Sequence, residues 1–221
     1  MKFLETRATA VITIVTIIVS AFLLLANVLP YWAVNAGFIP LRMTDLGMPF
    51  DGSGGDHMFV VSAWATPLTA TLIHGGWAHI ALNLVMLVYC GQFVERALGP
   101  LGLVILYVVG AYAAAAGHWA FGPESTAPMI GASGAISAIV GAYALLYGKR
   151  RAKAIGPVPS GVVHVVWLAA AWIGIQLLMG LAGFGASVGA SGPIAIGAHI
   201  GGFLAGLVLA RPLLLWHYRA A

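Results

Sequence analysis

Charge is what this chain has least of. Of its 221 residues only 7% are Asp, Glu, Lys or Arg, against 61% hydrophobic and a mean hydropathy of +0.99. Soluble domains carry about a quarter charged residues, so that class is excluded and one polytopic membrane domain spanning 1–221 is expected. Cysteine is almost missing as well. With Cys90 alone no internal disulfide can form, and the redox compartment stays open. Metal donors are equally scarce. His74 and His79 are five apart, with no cysteine or acid to complete a tetrahedral set, so neither metal nor other cofactor is expected.

What is present is a series of apolar runs. They cover roughly 8–29, 77–93, 101–119, 130–147, 161–181 and 194–215, which predicts an all-α bundle of six transmembrane helices. The first run is longer than the ~7 to 15 apolar residues of a cleaved signal peptide, so it is read as a retained span. A long connection, 30–76, carries Arg42, Asp45, Asp51, Asp56 and His57 but is apolar over 58–73. Part of it is expected in the membrane or its interface.

The formal charge of +4 and pI near 9.5 would suit nucleic acid, but the positions of the basic residues give a better account. Six spans put both termini on one side, together with Lys2, Arg7, Arg96, Lys149, Arg150, Arg151, Lys153, Arg211 and Arg219; only Arg42 falls on the other. That asymmetry predicts cytoplasmic termini, with lipid bilayer rather than nucleic acid as the partner of the basic cluster at 149–153.

Two stripes of small residues stand out. Ser133, Ser137 and Gly141 recur every fourth residue, as do Ala198, Gly202, Gly206 and Ala210, with His199 beside the first of these. Such stripes let membrane helices approach closely, so the two are expected to pack and to bring a serine hydroxyl to an imidazole. In the six-span topology Ser133, His199 and the pair His79/Asn83 each lie within about 10 Å of the outer end of their helix. Polar residues converging at one membrane depth are a functional signal.

The chemistry they permit is nucleophilic acyl transfer. His199 is the candidate base for Ser133. No acid lies in the spans at that depth, so a dyad is the economical reading. His79 and Asn83, four apart on one helix face, are candidate donors to an oxyanion, beside the Ser133 backbone N–H. Gly-Ala-Ser-Gly occurs twice, at 131–134 and 189–192. Ser191 precedes Pro193, where no helix N-terminus would support an oxyanion, and Ser133 is preferred. His118, His164 and His217 read as interfacial. Trp167, Trp172 and Gln176 could line a lateral opening or simply face lipid.

Taken together these residues resemble the rhomboid intramembrane serine proteases. The likeness rests on Gly37-Phe-Ile-Pro-Leu-Arg42, His74-Gly-Gly-Trp-Ala-His79-Ile-Ala-Leu-Asn83, Glu95-Arg96-Ala-Leu-Gly99, Gly131-Ala-Ser133-Gly134 and Ala198-His199-Ile-Gly-Gly202. The resemblance implies Ser133 as nucleophile, His199 as general base, His79 and Asn83 in the oxyanion hole, and structural roles for His74, Glu95 and Gly99. It also implies transmembrane protein substrates carrying small residues and helix breakers near the cut. Two positions depart from the pattern. Ser137 stands where many rhomboids have an aromatic stacked on the catalytic histidine, and Thr66-Pro67 follows Ala65 where Trp-Arg is common. Ser137, by a hydrogen bond from its hydroxyl, or another ring in place of the missing aromatic thus becomes the candidate for orienting His199.

The expected protein is an intramembrane serine endopeptidase, open to the extracytoplasmic side of a bacterial plasma membrane. The alternatives are a relative that binds transmembrane segments without cutting them, a small transporter, and a haem protein using two histidines. Natural substrates and oligomeric state are not legible.

Overall fold

A computed structural model describes residues 6–44, 60–148, 152–181 and 195–219. The remaining positions, among them His57, Ser191 and the basic residues 149–151, lie outside it. Among the described residues every regular element is helical, and only two isolated bridges, Phe38 with Met129 and Ile155 with Val158, pair extended backbone. The elements are α1 (Arg7–Leu25), α2 (Leu29–Ala36), α3 (Leu41–Thr44), α4 (Thr66–Thr69), α5 (Trp77–Phe121), α6 (Ser133–Tyr147), α7 (Ser160–Leu181) and α8 (Ile196–Arg219). Single 3-10 turns at Ala63–Ala65 and Ala70–Leu72 flank α4. Three helices, α1, α5 and α8, are long and apolar enough to cross a membrane.

Local chemistry explains where the helices break. The apolar run of α1 continues to residue 29, but the helix ends at Leu25. Asn27 takes φ 54°, a left-handed conformation that asparagine tolerates, and Pro30 fits only at the first turn of a new helix. In α5 the expected apolar runs 77–93 and 101–119 form one 45-residue element. Its single non-helical residue is Gly99, at φ 74° and ψ 167°, followed by Pro100. The break divides the run into arms at 77–98 and 100–121. Gly99 is required there, because a Cβ would be strained at that φ and would stand 2.8 Å from the His217 ring.

The core forms where both arms of α5 meet α6 and α8. Small residues set the spacing. A Cβ on Gly202 would overlap the Gly134 carbonyl, one on Gly206 the Ala138 carbonyl, and one on Gly141 the Phe203 carbonyl. Gly117 and Gly201 allow the same approach between α5 and α8, where a Cβ would overlap the carbonyls of Gly197 and Ala113 respectively. The expected stripes of α6 and α8 therefore do pack backbone to backbone, as membrane helices do when small side chains recur every four residues.

Glu95, 5% exposed, fastens α1 to the first arm of α5. Its Oε1 accepts from the Ala8 N–H at 2.9 Å, and its Oε2 accepts from the N–H and hydroxyl of Thr9, both at 2.7 Å. Those N–H groups belong to the first turn of α1, which has no intrahelical acceptor for them and presents the positive end of its dipole. A distant carboxylate thus caps a helix whose own N-cap side chain, Thr6, makes no capping bond.

Candidate active site

The nucleophile candidate sits at a helix start prepared by its neighbours. Phe38 and Met129 exchange backbone hydrogen bonds of 3.0 and 2.8 Å, and the Gly131 N–H donates to the Ala70 carbonyl at 2.9 Å. Gly131 then turns through φ 113°, and α6 begins at Ser133. No side chain could occupy position 131, since a Cβ would stand 2.8 Å from the His79 ring. Because Ser133 opens the helix, its N–H is among the first-turn donors that α-helical bonding leaves free.

The close seam between α6 and α8 carries Ser133 and His199 into contact. Ser133 Oγ lies 2.8 Å from His199 Nε2 across 66 residues of sequence. Both residues are half-buried. Among the described residues, His199 Nδ1 is buried with no protein partner, so no carboxylate forms a third member. Glu95 is committed to α1. Ser137 does not reach the imidazole. Its hydroxyl donates to the Ser133 carbonyl at 2.8 Å, the i−4 back-bond a helical serine commonly makes.

An aromatic from another helix holds the backbone of His199 rather than its ring. Trp172 of α7 donates its indole N–H to the His199 carbonyl at 3.2 Å and stacks on Phe203, with ring centres 5.0 Å apart and planes 9° from parallel. Of the two readings open for Trp172, lateral opening or lipid contact, neither includes this grip on the backbone of α8. The sequence carried a partial signal, an aromatic on an otherwise apolar span, but not its target.

His79 and Asn83 lie one turn apart at the start of α5. The Gly75 N–H donates to His79 Nδ1 at 3.3 Å, which leaves the proton of the neutral ring on Nε2, the edge that faces Gly131. Asn83, 5% exposed, donates from Nδ2 to the His79 carbonyl at 2.8 Å, and its Oδ1 is buried without a protein partner. The His74 and His79 rings meet edge to face at 5.0 Å. His74 is 1% exposed, and burial, with His79 nearby, pushes its pKa down to about 3, so the ring is neutral.

These elements put a serine–imidazole pair, flanked by hydrogen-bond donors, into a helical bundle built for a bilayer. The arrangement suits acyl transfer by a serine nucleophile. It has no set of metal-ligating groups among the described residues.

Comparison with known proteins agrees at the level of family. Residues 62–216 match the family model for the Rhomboid domain, and the chain belongs to the rhomboid family. It is therefore a multi-pass membrane protein. A similar protein is the rhomboid protease GluP of Bacillus subtilis (strain 168), 27% identical over 161 residues. That alignment takes in 73% of this chain but 29% of the relative, so the chain spans under a third of that protein's length.

Proposed function

We propose that the protein is an intramembrane serine endopeptidase that cleaves transmembrane segments of other membrane proteins with a Ser133–His199 dyad. The observation that carries this reading is the 2.8 Å contact between Ser133 Oγ and His199 Nε2. In this reading the bundle has six spans, counting the two arms of α5 separately and including α6 and α7, with both termini cytoplasmic.

In this mechanism Ser133 Oγ attacks the substrate carbonyl carbon as its proton passes to His199 Nε2. The carbonyl oxygen gains the negative charge, and the His79 Nε2–H, the Asn83 amide and the Ser133 N–H stabilise it. His199 returns the proton to the leaving amine as the C–N bond breaks. A water, deprotonated by the same nitrogen, then hydrolyses the acyl ester and restores Ser133. Both residues are half-buried, and this step requires that water reach them from the extracytoplasmic face.

Reaction with a fluorophosphonate probe tests the assignment. Wild type and Ser191→Ala should be labelled, and Ser133→Ala and His199→Ala should not. Labelling that survives Ser133→Ala and vanishes in Ser191→Ala would move the nucleophile to the other Gly-Ala-Ser-Gly. A wild type that neither labels nor cleaves would leave the binding-only relative as the better reading.

A further inference from the structure

A residue on α1, a helix that is not part of the α6–α8 seam carrying the dyad, is joined to the nucleophile loop by a directional chain of hydrogen bonds. The Ala132 N–H, one residue before Ser133, donates to His74 Nε2 at 3.3 Å. An imidazole nitrogen that accepts cannot carry the proton, so the neutral ring bears it on Nδ1. That nitrogen faces Ser20 Oγ at 2.9 Å. The Ser20 hydroxyl in turn spends its own proton on the Leu72 carbonyl, 2.8 Å away. Each link fixes the next: Leu72 sets the direction of the Ser20 hydroxyl, Ser20 sets the His74 tautomer, and that tautomer presents a lone pair to Ala132. Ala132, His74 and Ser20 are 0%, 1% and 0% exposed, so no solvent competes for these bonds.

We propose that Ser20 is a positioning residue for the nucleophile, acting through His74 on the backbone of Ala132. The inference rests on the reading of Ser133 as nucleophile. Among the described residues, two hydrogen bonds tie the turn at 131–132 to the rest of the protein outside α6, the Gly131 N–H to Ala70 and the Ala132 N–H to His74. Loss of Ser20 removes the acceptor that keeps the His74 proton on Nδ1. The ring is then free to place a proton on Nε2, where it meets the Ala132 N–H donor to donor, and the turn that aims both the Ser133 hydroxyl and its N–H loses one of its two ties.

The same helix supplies the control. Thr6, Thr9, Thr13, Thr16 and Ser20 follow a three-four spacing and are all buried. The Thr16 hydroxyl, 0% exposed like Ser20, has no hydrogen-bond partner among the described residues. Thr16→Val therefore removes a buried α1 hydroxyl with no link to His74.

The experiment compares full-length wild type, Ser20→Ala, Thr16→Val, His74→Phe and Ser20→Ala/His74→Phe in detergent. Readouts are fluorophosphonate acylation rate, kcat and KM on a transmembrane peptide substrate, and thermal unfolding. Ser20→Ala should lower acylation rate and kcat about tenfold, the scale of a small misplacement of a reacting group, with KM within about twofold. Thr16→Val should stay near wild type, and Ser20→Ala should add nothing in the His74→Phe background, because residues acting through one network are not additive. Wild-type reactivity in Ser20→Ala would overturn the proposal, as would an equal loss with and without His74 or a loss shared by Thr16→Val. A wild type inert to the probe would instead sink the nucleophile assignment, and this inference with it.

Discussion

Ser133 and His199 were legible as single residues because each sits in a stripe of small side chains whose spacing predicts close packing. What surrounds them was less so. Ser137 was a candidate for orienting His199, yet a helical serine has a carbonyl one turn back within reach, and Ser137 uses it. Ser137→Ala should accordingly leave kcat within about twofold of wild type. Trp172 is the opposite case, because its target depends on how α7 is rotated against α8. Trp172→Phe keeps a ring for Phe203 and deletes the indole donor to His199. A neutral hydrogen bond is worth about 1 kcal/mol, so the peptidase assay should show kcat down about fivefold with the protein still folded. On the oxyanion side, His79 and Asn83 should separate. His79→Phe removes a donor whose proton is fixed by Gly75 and should cost about a hundredfold or more in kcat. Asn83→Ala should cost less, since the Asn83 amide is already tied to the His79 carbonyl.

At the scale of elements, the apolar runs identified the helices, and Gly and Pro marked most of their ends. The runs before and after Gly99 are two helices, as the two apolar stretches predict; what the sequence could not show is that they meet at Gly99 with no loop between them, because hydropathy drops at Arg96 whether a chain kinks or enters a loop. Nor could it show that Glu95 caps α1, since the partners are 86 and 87 residues apart. Glu95→Gln keeps the shape but loses the charge that strengthens three hydrogen bonds and answers the dipole of α1. Hydrogen bonds to charged groups contribute about 1.5–3 kcal/mol, so thermal unfolding in detergent should register a clear drop for Glu95→Gln. The seam between α6 and α8 is less forgiving. Gly202→Val would drive a side chain into the Gly134 carbonyl, one residue from the nucleophile candidate. It should abolish probe labelling together with folded yield, whereas Val at Gly174, where a Cβ meets nothing within 4 Å, should do neither.

For the whole molecule, the proposed function places the site beneath the outer membrane surface, an expectation that rests on the asymmetry of Lys and Arg in the sequence and on the shared depth of Ser133, His199 and His79 in a six-span topology. A substrate helix hides its carbonyls in i to i+4 bonds, so a segment must unwind before Ser133 can attack. Peptides with Gly or Pro near the cut should be cleaved much faster than a poly-Leu helix of equal length. Equal rates would contradict cleavage within the helical region. The dependence of α1 on Glu95 also bears on biogenesis. When the ribosome has completed α1 at Leu25, the Glu95 carboxylate that its first-turn donors meet in the finished protein is still 70 residues away. The amino end of the earliest helix is thus fastened late, and a chain stalled just before Glu95 would leave α1 held by apolar contact and by the Ser20 bonds to Leu72 and His74 at its other end, more open to quality-control proteases than the finished chain.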